Sequence, residues 1–417
     1  MVVAERVVKE VELLQGQANL LTDFETSVLA AIAGTGGGKT MLCYWWIHSR
    51  LEAYPGNTWL FAEPTYGMLG KVILNSSDPG RQSLYEYLRG VGLHPRWISK
   101  QGLILGTDRG QIYLASADNP DSMQGAPVKG VLLDEAGLMS VGAYDTGRQR
   151  CSMMNGQLLL STTPYNLGWL KTEVFDKQGK DIHVENWRSV DRPGFPMESY
   201  ERERVLLPGW RFAMLYDGRF EYPAGLIYQS FDERACIVPR FEIPSNWLVH
   251  TGHDFGGANP AALFTAQDTG TGEFYHFREY LPGQGKSTYD HVQEFKKITK
   301  GYNIINRVGG SHQEDEIRQG YTSQGWHIQE PKHRLVEEQI NKVIGMHRLN
   351  KIKVFSDLRN YLDEKRTFSR KLDEENKPTE KIENEARFHL MSAERYLMSY
   401  FTPETVTGGR RRQTSVA

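Results

Sequence analysis

The chain is predicted to be an α/β protein with a mostly parallel sheet in its first part and a second α/β domain in the rest. Three observations predict this. Short apolar runs alternate with helix-compatible stretches between Ala30 and Pro164, a glycine-rich turn ending in Gly-Lys-Thr follows the first run, and strand character resumes near residue 246 after a turn-rich segment. The runs VLAAIAG, TWLFAEP, GQIYLAS, GVLLDEA and GQLLLSTTP hold few polar residues. Strands covered by helices on both faces of a parallel sheet read this way.

Length and composition bound the reading. At 417 residues the chain exceeds what one hydrophobic core usually serves, so two domains of roughly 200 residues are expected. With 39% hydrophobic and 24% charged residues it reads as globular, not disordered or fibrous. A formal charge of −2 exerts no global pull on nucleic acid, so any DNA contact must come from local basic patches. Cys43, Cys151 and Cys236 are far apart and form no CxxC pair, which argues against disulfide staples and structural zinc and points to a reducing cytoplasm. The opening MVVAERVVKEVELL lacks an apolar signal core, and no run approaches the ~20 apolar residues of a membrane span. A soluble, non-exported protein with no membrane partner is expected.

The chemistry starts at Ala33–Thr40, AGTGGGKT, between an apolar strand and the helix-compatible MLCYWWIHSRLEA. A phosphate-binding loop needs inward-facing N–H groups, a helix N-terminus aimed at the anion, a lysine, and a hydroxyl for Mg²⁺. Gly34, Gly36, Gly37 and Gly38 supply the permissive backbone, Lys39 the charge for the β/γ-phosphates of ATP, and Thr40 the metal-binding oxygen. Alanine stands at position 33, where the strict pattern has glycine. A plain glycine-rich turn at a helix start would share this composition. What separates the two is a second part in the right order: the apolar strand Val131–Leu133 ends in Asp134 and Glu135. In a phosphoryl-transfer site one such acid helps hold Mg²⁺ and its neighbour orients the attacking water. Asp134 is assigned to the metal and Glu135 to the catalytic base.

These motifs together, GVLLDEAGLM followed by GQLLLSTTPYNLGWL, resemble the Walker B strand and coupling motif of phage DNA-packaging terminase large subunits. The resemblance implies that the turn at Ser161, Thr162 and Thr163 senses the γ-phosphate, with Thr162 placed at the nucleotide. Terminases often carry an arginine inside the phosphate loop, where this chain has Thr35 and Gly36. The missing charge is expected from elsewhere, since an arginine finger is worth orders of magnitude in rate. Arg148, with Arg150 beside it, is the candidate, in a region read as a loop between two strands.

The second half resembles the ribonuclease-H-like nuclease domain of the same family. HTGHDFGGANPAAL delivers Asp254 from a strand, and Glu279 closes GEFYHFREY. Both are expected to ligate Mg²⁺, or Mn²⁺ in its place, with Asp254 catalytic. Two-metal cleavage needs three or four convergent carboxylates. The chain departs from the family here: Gly310 stands where an aspartate is usual, and Ser392 replaces the aspartate of the terminal HxxDAxRY helix. Glu394 lies about 200° around the helix from Ser392 and is no simple substitute. His312, Glu314, Asp315 and His389 are alternatives for a rearranged site, and a weakened or inactive nuclease is expected.

The organisation expected is a P-loop ATPase core over 1–186, a small helical subdomain over 187–222, a connector over 223–245, a ribonuclease-H-like domain over 246–402, and a flexible basic tail over 403–417 with Arg410–Arg412. Basic residues among aromatics in 347–371, and Lys171, Arg188, Arg192 and Arg211, are candidates for DNA contact. The resemblance implies an additional-strand ATPase that moves double-stranded DNA into a procapsid, with a metal-dependent endonuclease domain that cuts the genome. It would work as a homo-oligomeric ring on a portal protein with a small terminase subunit, in the host cytoplasm and transiently at the portal, absent from the mature virion. A P-loop helicase or repair translocase, and a nucleotide-gated DNA-binding component that does not cut, are the competing classes.

Overall fold

The computed structural model describes residues 11–73, 82–98, 103–256, 260–283 and 285–401. The chain divides between Pro223 and Ala224 into two compact units. The expected tail with Arg410–Arg412 lies outside the described residues. Among the described residues, no helix is long and apolar enough to cross a membrane.

In the first unit the strands are β1 (Val28–Ala33), β2 (Asn57–Glu63), β3 (Arg96–Trp97), β4 (Ile104–Gly106), β5 (Gly110–Ser116), β6 (Gly130–Asp134), β7 (Gln157–Thr162) and β8 (Ile182–Trp187). The helices are α1 (Gln15–Thr22), α2 (Lys39–Ala53), α3 (Tyr66–Ile73), α4 (Leu84–Gly90), α5 (Pro120–Met123), α6 (Val141–Ser152), α7 (Met197–Leu206) and α8 (Gly209–Leu215). Among the described residues the strands form one sheet in the order β3-β4-β5-β2-β6-β7-β1-β8. It is parallel from β5 to β8, with β3 and β4 antiparallel at one edge.

Alternation along β1 explains its apolar sequence. Leu29, Ala31 and Ala33 face one core, while Val28, Ala30 and Ile32 face the other. Each fully buried Leu or Ile contributes about 1.5–3 kcal/mol, so both faces must stay apolar. β8 was not legible beforehand because IHVENW mixes polar residues into an edge strand that is only partly covered.

The order of the strands has a consequence for the chemistry. β7 lies between β1 and β6, which makes this an additional-strand sheet, and ligands of open parallel sheets gather at the carboxyl ends of the strands. Ala33, Asp134 and Thr162 therefore end three adjacent strands on one edge.

The second unit has β9 (Ile237–Val238), β10 (Leu248–Asp254), β11 (Ala261–Gln267), β12 (Phe274–Tyr280), β13 (Asn303–Gly309) and β14 (Ile352–Phe355) in a mixed sheet ordered β13-β10-β11-β12-β14-β9, with a separate hairpin of β15 (Arg370–Leu372) and β16 (Pro378–Ile382). β10, β11 and β12 run antiparallel, while β13 pairs with β10 and β14 with β12 in parallel. Its helices are α9 (Glu233–Cys236), α10 (Thr288–Ile298), α11 (Asp315–Ser323), α12 (Val336–Arg348), α13 (Arg359–Thr367) and α14 (His389–Met398). Helix α14 presses on β10 closely enough that a Cβ on Gly252 would stand 2.1 Å from the Ala393 carbonyl.

Candidate active site

The glycine-rich turn joins β1 to α2, and Lys39 and Thr40 open the helix. Gly38 is the residue before the helix and has φ +84°, a left-handed conformation that a side chain resists by roughly 1–2 kcal/mol. Lys39 is buried, and its Nζ donates to Ala33 O (3.1 Å), Gly34 O (3.0 Å) and Thr163 Oγ1 (2.9 Å). The ammonium is thus held at the centre of the turn, at the end of β7. Thr40 stands partly exposed in the first helical turn.

Asp134 ends β6 opposite Ser161 of β7 and is buried. Burial pushes its carboxyl up, with the Lys39 charge opposing. Glu135 follows at φ +52°, strain of the kind that gathers at functional sites. Its Oε2 accepts from Tyr165 OH at 2.9 Å. Burial raises its pKa, and the Asp134 carboxylate raises it further. Two acids, one lysine and one threonine hydroxyl therefore meet at the carboxyl ends of β1, β6 and β7.

Several expectations need adjustment. The Thr162 hydroxyl donates to Thr163 O (2.8 Å) and accepts from Gly137 N (3.1 Å), so it ties the sensing turn to the turn after Glu135, and Thr163 is the one that meets Lys39. Arg148 stands on α6, not in a loop, and is exposed with its guanidinium over the Tyr144 ring at 5.5 Å. Arg150, on the same helix, is buried and donates to the carbonyls of Ala126 (2.7 Å) and Met123. That guanidinium fastens the segment leading into β6. The sequence does not separate the two, because α6 contains Gly142 and Gly147 and is weakly amphipathic.

Residues with no motif of their own also meet the turn. Gln17 of α1 is buried and its Nε2 donates to Gly38 O at 3.4 Å. Trp187 Nε1 donates to Gly37 O (2.8 Å), Trp187 O accepts from Gly34 N (3.1 Å), and Ser189 Oγ donates to Thr35 O (2.7 Å). The Phe195 ring stands 3.0 Å from where a Cβ on Gly36 would be. The segment after β8 therefore clamps the loop. Glu63 ends β2, the strand beside β6, and is 1% exposed.

In the second unit the carboxylates do not converge. Asp254 ends β10 with its Oδ2 2.8 Å from His389 Nδ1 of α14. Glu279 is corrected as a metal ligand: its oxygens accept from Asn360 N (3.1 Å), Asn360 Nδ2 (2.8 Å) and Tyr361 N (2.7 Å), so it caps the first turn of α13. A carboxylate at a helix N-terminus satisfies otherwise unpaired N–H groups. Gly310 has φ +73°, and a Cβ there would stand 2.3 Å from the Phe255 ring, which stacks on Tyr321. An aspartate there would have to displace that ring and hold a left-handed φ. The Ser392 hydroxyl accepts from Arg395 Nη2 at 2.9 Å. Glu394 turns inward to Tyr361 OH (2.6 Å), His276 Nε2 (3.3 Å) and Lys365. The alternatives are occupied too: His312 meets Glu330 at 2.7 Å, Glu314 accepts from Ser311 N at 2.5 Å, and Asp315 pairs with Arg318 at 2.5 Å. Among the described residues no group of three or more His, Cys, Asp or Glu side chains is arranged to hold a metal ion. Mg²⁺ or Mn²⁺ does not fit a two-metal site built from these residues.

The candidate DNA contacts are mostly engaged within their own unit. In 347–371, Phe355 and Tyr361 belong to the core, and Lys365, Arg366 and Arg370 pair with Glu394, Glu233 and Glu337. Lys171 and Arg188 pair with Asp176 (2.7 Å) and Asp191 (2.8 Å).

No family model matches the chain. The large terminase subunit of Thermus virus P23-45 is 22% identical over 212 residues, covering 45% of this chain and 43% of that protein. That of Escherichia phage T5 is 26% identical over 208 residues, 46% of each. A solved structure of the HK97 bacteriophage large terminase aligns with a TM-score of 0.49 at 10% identity, over 95% of this chain and 96% of that chain. The chain spans less than half the length of the curated relatives it matches. In sequence it is similar to terminase large subunits over just under half of its length.

Proposed function

We propose that the first unit is an ATP-hydrolysing motor and that the chain acts as a terminase large subunit, driving double-stranded DNA into a procapsid. The observation that supports this most directly is the meeting of Lys39, Asp134, Glu135 and Thr163 at the ends of three neighbouring parallel strands. The donor set suits Mg²⁺–ATP. Lys39 and the N-terminus of α2 would hold the phosphates, while Thr40 and Asp134 would hold Mg²⁺, which needs only one or two protein oxygens when phosphates and water complete its shell. Bound there, the ion neutralises charge on the transferring phosphoryl group.

Glu135 is the group that takes the proton of the attacking water. Its raised pKa makes it a stronger base than an ordinary carboxylate, and Tyr165 fixes its direction. When a nucleotide draws Lys39 toward the phosphates, the Lys39–Thr163 bond at 2.9 Å must change. Thr163 adjoins Thr162, which holds the turn after Glu135, so the sensing turn and the base are coupled by two hydrogen bonds.

The proposed partners are duplex DNA, a portal protein and a small terminase subunit. The working form is a homo-oligomeric ring in the host cytoplasm and transiently at the portal. The second unit is proposed to engage DNA without cutting it, because its acids are occupied elsewhere.

ATP turnover by the purified chain, with and without duplex DNA, tests the reading. Turnover stimulated by DNA and lost in Lys39→Ala is expected. Absence of nucleotide binding, or full turnover in Lys39→Ala, would remove the basis of the proposal.

A further inference from the structure

Arg192 lies against the phosphate loop. It follows the turn Ser189–Asp191, which is fastened to the loop through Ser189 Oγ and Thr35 O (2.7 Å) and to the residue that ends α8 through Ser189 N and Tyr216 O (2.7 Å). A Cβ on Gly38 would stand 3.5 Å from Arg192 Cδ and 4.0 Å from its Cγ. The stem of the side chain therefore crosses the loop at the residue before Lys39. Its guanidinium carbon is 5.9 Å from the centre of the Phe195 ring, and that ring in turn covers Gly36.

Apart from the Phe195 ring, the charge there has no partner among the described residues. Nε is buried without an acceptor, and among the described residues no carboxylate pairs with this guanidinium. Its neighbour Arg188 behaves differently, reaching Asp191 with Nε at 3.1 Å and Nη2 at 2.8 Å. Arg50 and Arg150 also bury their donors on protein oxygens. A buried N–H that lacks an acceptor destabilises the fold, so the position makes physical sense where a ligand supplies one. The adjacent backbone narrows the ligand's chemistry: the N-terminus of α2 and the loop N–H groups favour an anion, and a planar guanidinium suits phosphate oxygens.

We propose that Arg192 contacts the polyphosphate of the bound nucleotide from within the same chain, supplying the positive charge that Thr35 and Gly36 do not. This rests on the reading of residues 33–40 as a nucleotide site. It replaces Arg148, which points to solvent along α6. The arrangement also links binding to the helices that follow, because Thr35 N donates to Leu215 O of α8 at 2.6 Å. An anion that draws in Arg192 acts on a turn bonded to both the loop and α8.

Arg192→Met keeps an unbranched stem across Gly38 and removes the charge, while Arg192→Lys restores charge without the fork. Binding of Mg²⁺–ATPγS, ADP and adenosine to the full chain is measured by calorimetry or competition, below the melting temperature of each unliganded variant. The expected result is ATPγS and ADP binding weakened about tenfold or more in Arg192→Met, partial recovery in Arg192→Lys, and adenosine unchanged. Polyphosphate affinity within twofold of the parent overturns the proposal, as does a loss shared equally by adenosine. If the parent itself binds no nucleotide, or Lys39→Ala binds as well as the parent, the nucleotide-site reading fails instead.

Discussion

Glu135, the proposed catalytic base, combines two unfavourable features. Its left-handed φ of +52° costs about 1–2 kcal/mol, and burial beside Asp134 raises its pKa above the ordinary 4.5. A carboxyl whose pKa is raised on folding binds its proton more tightly in the native state. Its contribution to stability therefore falls as pH rises from the unfolded value through the folded one, and at neutral pH the ionised form is destabilising. Glu135→Gln should abolish ATP hydrolysis while raising the melting temperature, by roughly 2–4 °C for each kcal/mol relieved. Calorimetric melting beside a turnover assay checks both halves, and a lower melting point with turnover intact would contradict them. In the parent, the acid limb of the rate profile is expected above the usual glutamate range, because the base works only when ionised.

At the scale of elements, α13 and α14 are joined by a buried ionic cluster. Lys365 and Glu394 are both buried and paired, with Tyr361 and His276 completing the carboxylate's bonds. Burial draws Lys365 down to about 8 despite Glu394, while for Glu394 burial pushes upward but the combined pull of Lys365, His276 and His347 outweighs it and holds the carboxyl well below the usual range. Removing one partner strands the other charge in an apolar interior. Lys365→Met alone should lose about 3–5 kcal/mol of stability, whereas Lys365→Met with Glu394→Leu should recover most of it. Denaturant unfolding of the full chain measures this, and equal losses in single and double variants would show that the pair is not the source. The same helices explain the position of Glu279, whose carboxylate serves as the N-terminal cap of α13.

For the whole molecule, the two units differ in how completely their sites are assembled. The first brings its acids and lysine together. In the second, Asp254 meets a histidine, Glu279 caps a helix, and positions 310 and 392 lack carboxylates. Supercoiled plasmid incubated with Mg²⁺ or Mn²⁺ should therefore remain uncut. Gly310→Asp should not restore cutting, because the new Cβ meets the Phe255 ring at 2.3 Å and φ is +73°. Robust cleavage that disappears in Asp254→Ala would overturn this expectation. The near-neutral charge of −2 further implies that the proposed grip on DNA would come from local surfaces.

By itself the sequence determined the α/β class, the five inner strands β1, β2, β5, β6 and β7, and the roster Lys39, Asp134 and Glu135, since apolar periodicity and loop chemistry are local properties. Tertiary structure decided which hydroxyl meets Lys39, that Arg192 and not Arg148 stands at the loop, and that Glu279 is a cap. The edge strand β8 and the clamp after it were hidden because their polar sequence acquires meaning only against Gly34–Gly38. Hydrogen bonds between residues more than a hundred positions apart, such as Lys39 with Thr163 and Trp187 with Gly37, follow from strand order, and no window of sequence encodes strand order.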